Sequence, residues 1–324
     1  MSWRERGALA AAALAVDRVI GDPRDRWHPV AWFGRAMASR EARRWRDDRR
    51  SGVSHLAAGF GLATAPTLLA SAAARRLGGA AAERAVLVLV VATALGARSL
   101  DRRAAEIGRA LEQGGIDEAR RALPALVGRD PAGLDEGEIA RAVVESVAEN
   151  TVDAVVAPLM FALAGGAVGA AAYRAVNTLD AMVGHRNERY RRFGWAAARA
   201  DDLANLLPAR LAAAAVLVGA PRQAAEIVRA VLLQAPRHPS PNAGVVEAAF
   251  AGALGLRLGG VNRYGGVAEH RAELGVGRPP TAADISRARR LSRRVTTTLA
   301  ALLAVPYLLE RLGREEPAAG RAGG

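Results

Sequence analysis

The chain has 324 residues, 51% of them hydrophobic and 24% charged, which excludes a disordered chain and allows one large domain or two smaller ones. It contains no cysteine and no lysine, so all 45 residues counted as Lys+Arg are arginine. That excludes disulfides, thiolate metal sites, iron–sulfur clusters, a Cys nucleophile, a Schiff base to pyridoxal phosphate and a P-loop lysine. Aromatics at 4% favour closely packed helices over a β-sandwich, and the net charge of +13 suits either nucleic acid or arginines flanking membrane segments.

In chain order, Arg4 and Arg6 precede the apolar run 7–16, which imitates a signal peptide but lacks a clear cleavage site and reads as a retained segment. The segment 17–30 holds Asp22 and His28, the latter made rigid by Pro29. Runs 56–74 and 85–97 are free of charge and bounded by arginine. Residues 99–150 read as a polar helical insertion. Its first helix stops at Gly114–Gly115, a second starts near Asp117, and a third starts at Glu136 behind the cap Asp135, with Glu138 completing the box. The uncharged run 154–173 follows, and 295–309 lies behind the basic stretch 287–294. The tail 313–324 is rich in Gly, Ala and Pro and is expected to be disordered, and strand signals are nearly absent.

A bilayer-spanning helix needs about 20 apolar residues, ~17 at the least, and 56–74 and 154–173 meet that length. The expected fold is all-α: a multi-pass integral membrane helical protein, with one membrane domain over 1–312 that includes the polar helical insertion 99–150. A mean hydropathy of only +0.06 keeps a soluble, alanine-rich bundle open as the alternative. The arginine clusters at 35–50, 98–103, 186–192 and 287–294 each sit beside an apolar run. They therefore fit the positive-inside pattern, with cytoplasmic loops, better than nucleic-acid binding.

Three constellations suit chemistry. Glu145, Glu149 and Asp153 recur every four residues, a spacing that puts three carboxylates on one helical face at the edge of an uncharged run. Such a face suits Mg²⁺, which takes one or two carboxylates with phosphate oxygens, and equally suits pairing with arginines of a neighbouring helix. Asn177 and Asp180 share a face, and Asp201, Asp202 and Asn205 form a D-D-x-x-N cluster ahead of Arg210. With Arg186 and Arg189 nearby, these fit a polyanionic substrate held by arginine and metal. In the third, Ser240, Pro241, Asn242 and Gly244 make a turn into a helix, where Ser240 or Asn242 either simply caps or cradles a phosphate. Gly259–Gly260 and Gly265–Gly266 bracket Tyr264 in a tight loop.

Taken together, D-R-V-I-G-D-P with H-P-V (17–30), V-G-R-D (127–130), E-S-V-A-E-N-T-V-D (145–153) with A-P-L (157–159), N-T-L-D-A-M-V-G (177–184), D-D-L-A-N-L-L-P-A-R (201–210) and S-P-N-A-G (240–244) with L-G-G (258–260) resemble the CobD/CbiB family, the adenosylcobinamide-phosphate synthases of cobalamin biosynthesis. The segments occur in family order over roughly 14–310; Ala181 and His185 depart from the pattern, where Ser and an aromatic residue are expected.

The resemblance implies a multi-pass protein of the cell membrane. It also implies ATP-dependent amide formation between a carboxylate of the corrinoid adenosylcobyric acid and the amine of (R)-1-aminopropan-2-ol or its phosphate. Within it the catalytic residues are Glu145, Glu149, Asp153, Asp201 and Asp202, with Glu149, Asp153, Asp201 and Asp202 as ligands of Mg²⁺. Substrate binding falls to Asp22, His28, Asn150, Asn177, Asp180, Arg186, Asn205, Arg210, Ser240, Asn242 and Tyr264. The implied partners are the lipid bilayer, the corrinoid, the amino alcohol and other cobalamin-biosynthesis enzymes, with no nucleic acid. Two rivals stay open: a non-catalytic membrane scaffold or sensor on the same fold, and a lipid-phosphate transferase suggested by D-D-x-x-N.

Overall fold

The structure is a computed structural model. It describes residues 1–23, 26–128, 130–185, 187–264 and 267–315, and for 262–264, 267–269, 314 and 315 the backbone alone. Contacts divide the chain into two compact units, one of 1–95, 158–195 and 297–324, the other of 96–157 and 196–296.

In the first unit, helix α1 (Trp3–Ile20) starts where the Ser2 hydroxyl accepts from the Glu5 N–H at 3.2 Å. It absorbs the apolar run 7–16, buries Gly7, Ala10, Ala13 and Leu14, and packs on α3 (Arg49–Ala94). Small residues on that face let the backbones approach closely. Helix α2 (Pro29–Arg44) also packs on α3. The run 56–74 and the part of 85–97 up to Ala94 fall on α3 on either side of Gly79, where φ is +66° and the helix breaks. Only glycine takes that conformation cheaply.

The second unit starts with α4 (Ala97–Glu112), α5 (Ile116–Ala122) and α6 (Glu136–Thr151). The Asp135 box forms as its spacing predicts: the carboxylate accepts from Glu138 N–H at 2.8 Å, and the Glu138 carboxylate accepts from Asp135 N–H at 3.0 Å. A π-helical turn, Val152–Val156, then leads into α7 (Ala157–Val183). Helix α8 (Trp195–Ala204) bends by 42° into α9 (Leu206–Gly219), followed by α10 (Ala224–Leu233) and α11 (Ala243–Leu254). Helix α11 is apolar nearly all round and lies at the heart of this unit, with Val246, Ala249 and Phe250 buried as it packs on α6, α9 and α10. Asp101 of α4 pairs with both Arg289 and Arg293 of α12 (Ala282–Glu315).

Two expectations need correction. Residues 258–274 form an antiparallel hairpin, β1 (Leu258–Tyr264) with β2 (Val267–Leu274), where a glycine loop in an all-α chain was expected. A bulge at Gly259, with φ of +82°, shifts its register, and a Cβ there would run into the Ala272 carbonyl. Helix α12 also continues to Glu315, into the stretch expected to be disordered, while 316–324 lie outside the described residues.

Among the described residues, Arg49–Glu112, Glu136–Val183 and Ala282–Gly313 are long and apolar enough to cross a membrane, and α8 with α9 makes a fourth if the bent pair is one span. The fold is that of a multi-pass helical membrane protein, as expected from the apolar runs.

Candidate functional site

The second unit gathers the acidic helix, the D-D-x-x-N cluster and the S-P-N turn. Asn205 occupies the break between α8 and α9. It is buried, and its Nδ2 donates to Asp201 Oδ2 at 3.0 Å. Asp202 faces Arg199 at 3.6 Å through its carboxylate. Its main-chain carbonyl accepts a 2.6 Å hydrogen bond from Asn242 Nδ2, and Asn242 Oδ1 in turn accepts from Arg210 at 2.8 Å. One amide thereby joins the start of α11 to the end of α8 and the N-terminal part of α9.

The division of labour in the turn resolves the two capping options. The Ser240 hydroxyl accepts from Asn242 N–H at 3.3 Å and Ala243 N–H at 3.2 Å, and so caps α11, while Asn242 spends its side chain on the cross-link. Gly244 is required here, because a Cβ would fall inside contact distance of His238 Cβ.

The carboxylate trio separates. Glu145 is buried, and its Oε1 accepts from Gly259 N–H at 2.7 Å. Arg141, one turn earlier, donates to the carbonyls of Gly259 and Val261. These two side chains fasten the hairpin to α6, and Glu145 engages the hairpin backbone. Glu149 is exposed and Asp153 half-buried within the π-turn, which packs against α9. Asn150 Nδ2 donates to the Ser146 carbonyl at 2.9 Å. Among the described residues, no three His, Asp or Glu side chains come close enough to share a metal ion. The oxygen donors at Glu149, Asp153, Asp201 and Asp202 suit Mg²⁺ in its usual manner, in which one or two carboxylates are completed by water and phosphate oxygens.

Apart from Tyr264, the remaining candidates lie in the first unit. His28 Nδ1 accepts from Val30 N–H at 3.1 Å and so caps α2. That leaves the ring proton on Nε2, 3.6 Å from Asp22. Asn177 accepts from Arg174 at 3.2 Å, and the Asp180 carbonyl accepts from Gly184 N–H at 2.7 Å. Arg189 is held by Glu41 at 3.0 Å, a bond that keeps its guanidinium pKa above the ordinary value. Arg186 lies outside the described residues, as does the Tyr264 side chain; the Tyr264 backbone ends β1 opposite Val267.

Two buried residues of the second unit escaped the sequence reading. His238 Nε2 lies 3.9 Å from Glu247 of α11, and both side chains are almost fully enclosed. Glu247 is the one charged residue of A-G-V-V-E-A-A-F-A-G-A-L, an anomaly that could have flagged it.

A profile of the family described as CobD/Cbib protein matches residues 10–292. The chain belongs to the CobD/CbiB family. It is 47% identical over 316 residues to cobalamin biosynthesis protein CobD of Mycobacterium tuberculosis, covering 96% of this chain and 98% of that relative. Proteins of the same description from Chromobacterium violaceum and Geobacter metallireducens are 46% identical over 300 residues and 45% over 268. They cover 90% and 81% of this chain, and 93% and 84% of their own lengths. No solved structure gives a significant match. The family profile takes in all the motif segments that meet at Asn242.

Proposed function

We propose that this protein acts in cobalamin biosynthesis as an adenosylcobinamide-phosphate synthase of the cell membrane. It ligates (R)-1-aminopropan-2-ol or its phosphate to adenosylcobyric acid, with ATP as co-substrate. The reading rests on family membership and on one observation in particular: Asn242 ties the S-P-N turn to both Asp202 and Arg210. A guanidinium and the backbone of the D-D-x-x-N segment are thus fixed at one helix start, an arrangement suited to a phosphorylated ligand.

Amide formation from a carboxylate needs activation. Transfer of the γ-phosphoryl group of ATP to the corrinoid carboxylate releases ADP; the amine then attacks the acyl carbon, and inorganic phosphate leaves as the amide forms. Arg210 and the α11 N-terminus would hold phosphate, positioning being most of what phosphoryl transfer asks of a protein. One or two carboxylates from among Glu149, Asp153, Asp201 and Asp202 would hold Mg²⁺ together with phosphate oxygens, and the ion when bound would neutralise phosphate charge. The bilayer and other enzymes of the pathway are the partners in this reading.

Reconstitution tests it. Purified full-length protein in detergent is given adenosylcobyric acid, aminopropanol or its phosphate, Mg²⁺ and ATP, each omitted in turn, with product followed by mass spectrometry. Product that requires every component is expected. Folded protein that makes none, and fails to restore a synthase-deficient strain, would overturn the assignment in favour of a scaffold or sensor.

A further inference from the structure

The basic stretch ahead of the last apolar helix is not a uniform halo of charge. R-A-R-R-L-S-R-R turns two faces to different surroundings. Arg289 and Arg293, four residues apart, share Asp101 of α4. Arg287, Arg290 and Arg294 follow the complementary i, i+3, i+7 spacing and line a cleft of about 460 Å³ in the second unit. Arg222, from the turn between α9 and α10, lines it too, and the end of α9 at Gly219 and Leu254 of α11 close it.

No carboxylate lines this cleft among the described residues. Arg287 is fixed by Asp284 at 2.7 Å and by the Leu254 carbonyl at 2.8 Å. Arg222, Arg290 and Arg294 take part in no ion pair among the described residues. With Arg287 neutralised by Asp284, the guanidiniums of Arg222, Arg290 and Arg294 around one concavity repel each other unless an anion sits between them, and the planar fork of arginine matches phosphate oxygens bidentately.

We propose that this cleft is a phosphate-binding site and that its ligand is the headgroup of an anionic phospholipid. The surroundings favour the lipid over a soluble phosphate. Helix α12 runs directly from the arginines into the apolar stretch 295–309, and the candidate span α8–α9 ends at the cleft wall. Helix α10, which starts there, exposes Val228, Leu232 and Leu233. Basic pockets beside membrane helices bind anionic headgroups in this way. The site makes no use of the acidic cluster and stands apart from the proposed synthase activity.

The test uses the full chain in mild detergent. Bound phosphatidylglycerol and phosphatidylcholine are counted by native mass spectrometry for the wild type, for R290Q/R294Q, and for R43Q/R44Q, which removes the same charge from the exposed end of α2. In a parallel arm, inorganic pyrophosphate is titrated calorimetrically. The wild type is expected to prefer phosphatidylglycerol. R290Q/R294Q should lose that preference, binding roughly 30-fold more weakly at about one Arg–headgroup attraction per removed charge, while R43Q/R44Q keeps it. Unchanged melting in phosphatidylcholine shows that the variant is folded. Pyrophosphate binding abolished by R290Q/R294Q, without any lipid preference, would support the phosphate site and overturn the lipid as its ligand. A phosphatidylglycerol preference that survives R290Q/R294Q, or binding of neither probe by the wild type, would overturn the site itself.

Discussion

Asn242 donates to the main-chain carbonyl of Asp202, 40 residues away in sequence, at 2.6 Å, and accepts from Arg210 with its other amide atom. Both functions of the amide are used, so the two conservative changes differ. Asn242→Asp keeps an acceptor for Arg210 but cannot donate to Asp202; Asn242→Ala loses both. Leaving a buried partner unpaired costs about 1–3 kcal/mol. Asn242→Ala is therefore expected to melt lower by that amount, with Asn242→Asp intermediate. In a double-mutant cycle with Arg210→Gln, thermal melting should show coupling between 242 and 210. Additive effects would mean that the hydrogen bond to Asn242 is not what holds Arg210.

Glu145 and Asp201 lie in motifs of equal apparent promise, yet their settings differ. Glu145 accepts from Gly259 N–H at 2.7 Å, a task that a glutamine carbonyl performs as well. Glu145→Gln is expected to stay folded and keep synthase activity within a few-fold, whereas Glu145→Ala should free the hairpin and expose 256–275 to limited proteolysis. Asp201→Asn removes a charge at the proposed Mg²⁺–phosphate site and is expected to lower kcat by about 10²-fold, the usual scale for losing one electrostatic contact to a transition state. Full activity in Asp201→Asn with unchanged Mg²⁺ dependence would remove that residue from the site.

The contrast between these residues marks how far the sequence could be read. Asp135 with Glu138 announced the start of α6 because a capping box is a local device, written within four residues. The apolar runs announced α3, α7 and α12 because lipid imposes length and composition on a helix. The hairpin was illegible: L-G-G-V-N-R-Y and V-A-E-H-R-A-E-L lack clean alternation, and their pairing is fastened by Arg141 and Glu145 from α6. The four-residue spacing of the carboxylates names a helical face, but it does not say that Glu145 meets a distant glycine, or that a π-turn begins at Val152 before Asp153. Nor could it pair His238 with Glu247, since that contact exists only once the turn folds back on α11.

Gly244 sits where the turn folds back. A Cβ there meets the His238 Cβ, which no rotamer change can move, and the Ala235 carbonyl at 3.0 Å. Gly244→Ala is expected to cost about 1–3 kcal/mol as an overpacking substitution. Gly34, inside α2 with open space around its own Cβ position, is the matched control and should melt at or slightly above the wild type when changed to alanine. Equal melting of the two variants would show that the backbone at 238 gives way freely.

Asp48 provides a pH-dependent contribution. Its carboxylate caps α3, and the hydrogen bond from Ser51 N–H, at 2.7 Å, is the main cause holding its pKa below the ordinary 3.8. A carboxylate whose pKa is depressed by folding stabilises the native state fully above its unfolded pKa and loses that contribution as pH falls through the folded value. The wild type is therefore expected to melt progressively lower as the pH drops below about 4, over and above the loss from its other carboxylates. Asp48→Asn keeps an acceptor for Ser51 but has no proton to bind, so its melting temperature should fall less steeply over that interval. The check is thermal melting of both proteins in the same detergent from pH 7 to pH 3; parallel curves would show that the cap carries no pH-dependent stability.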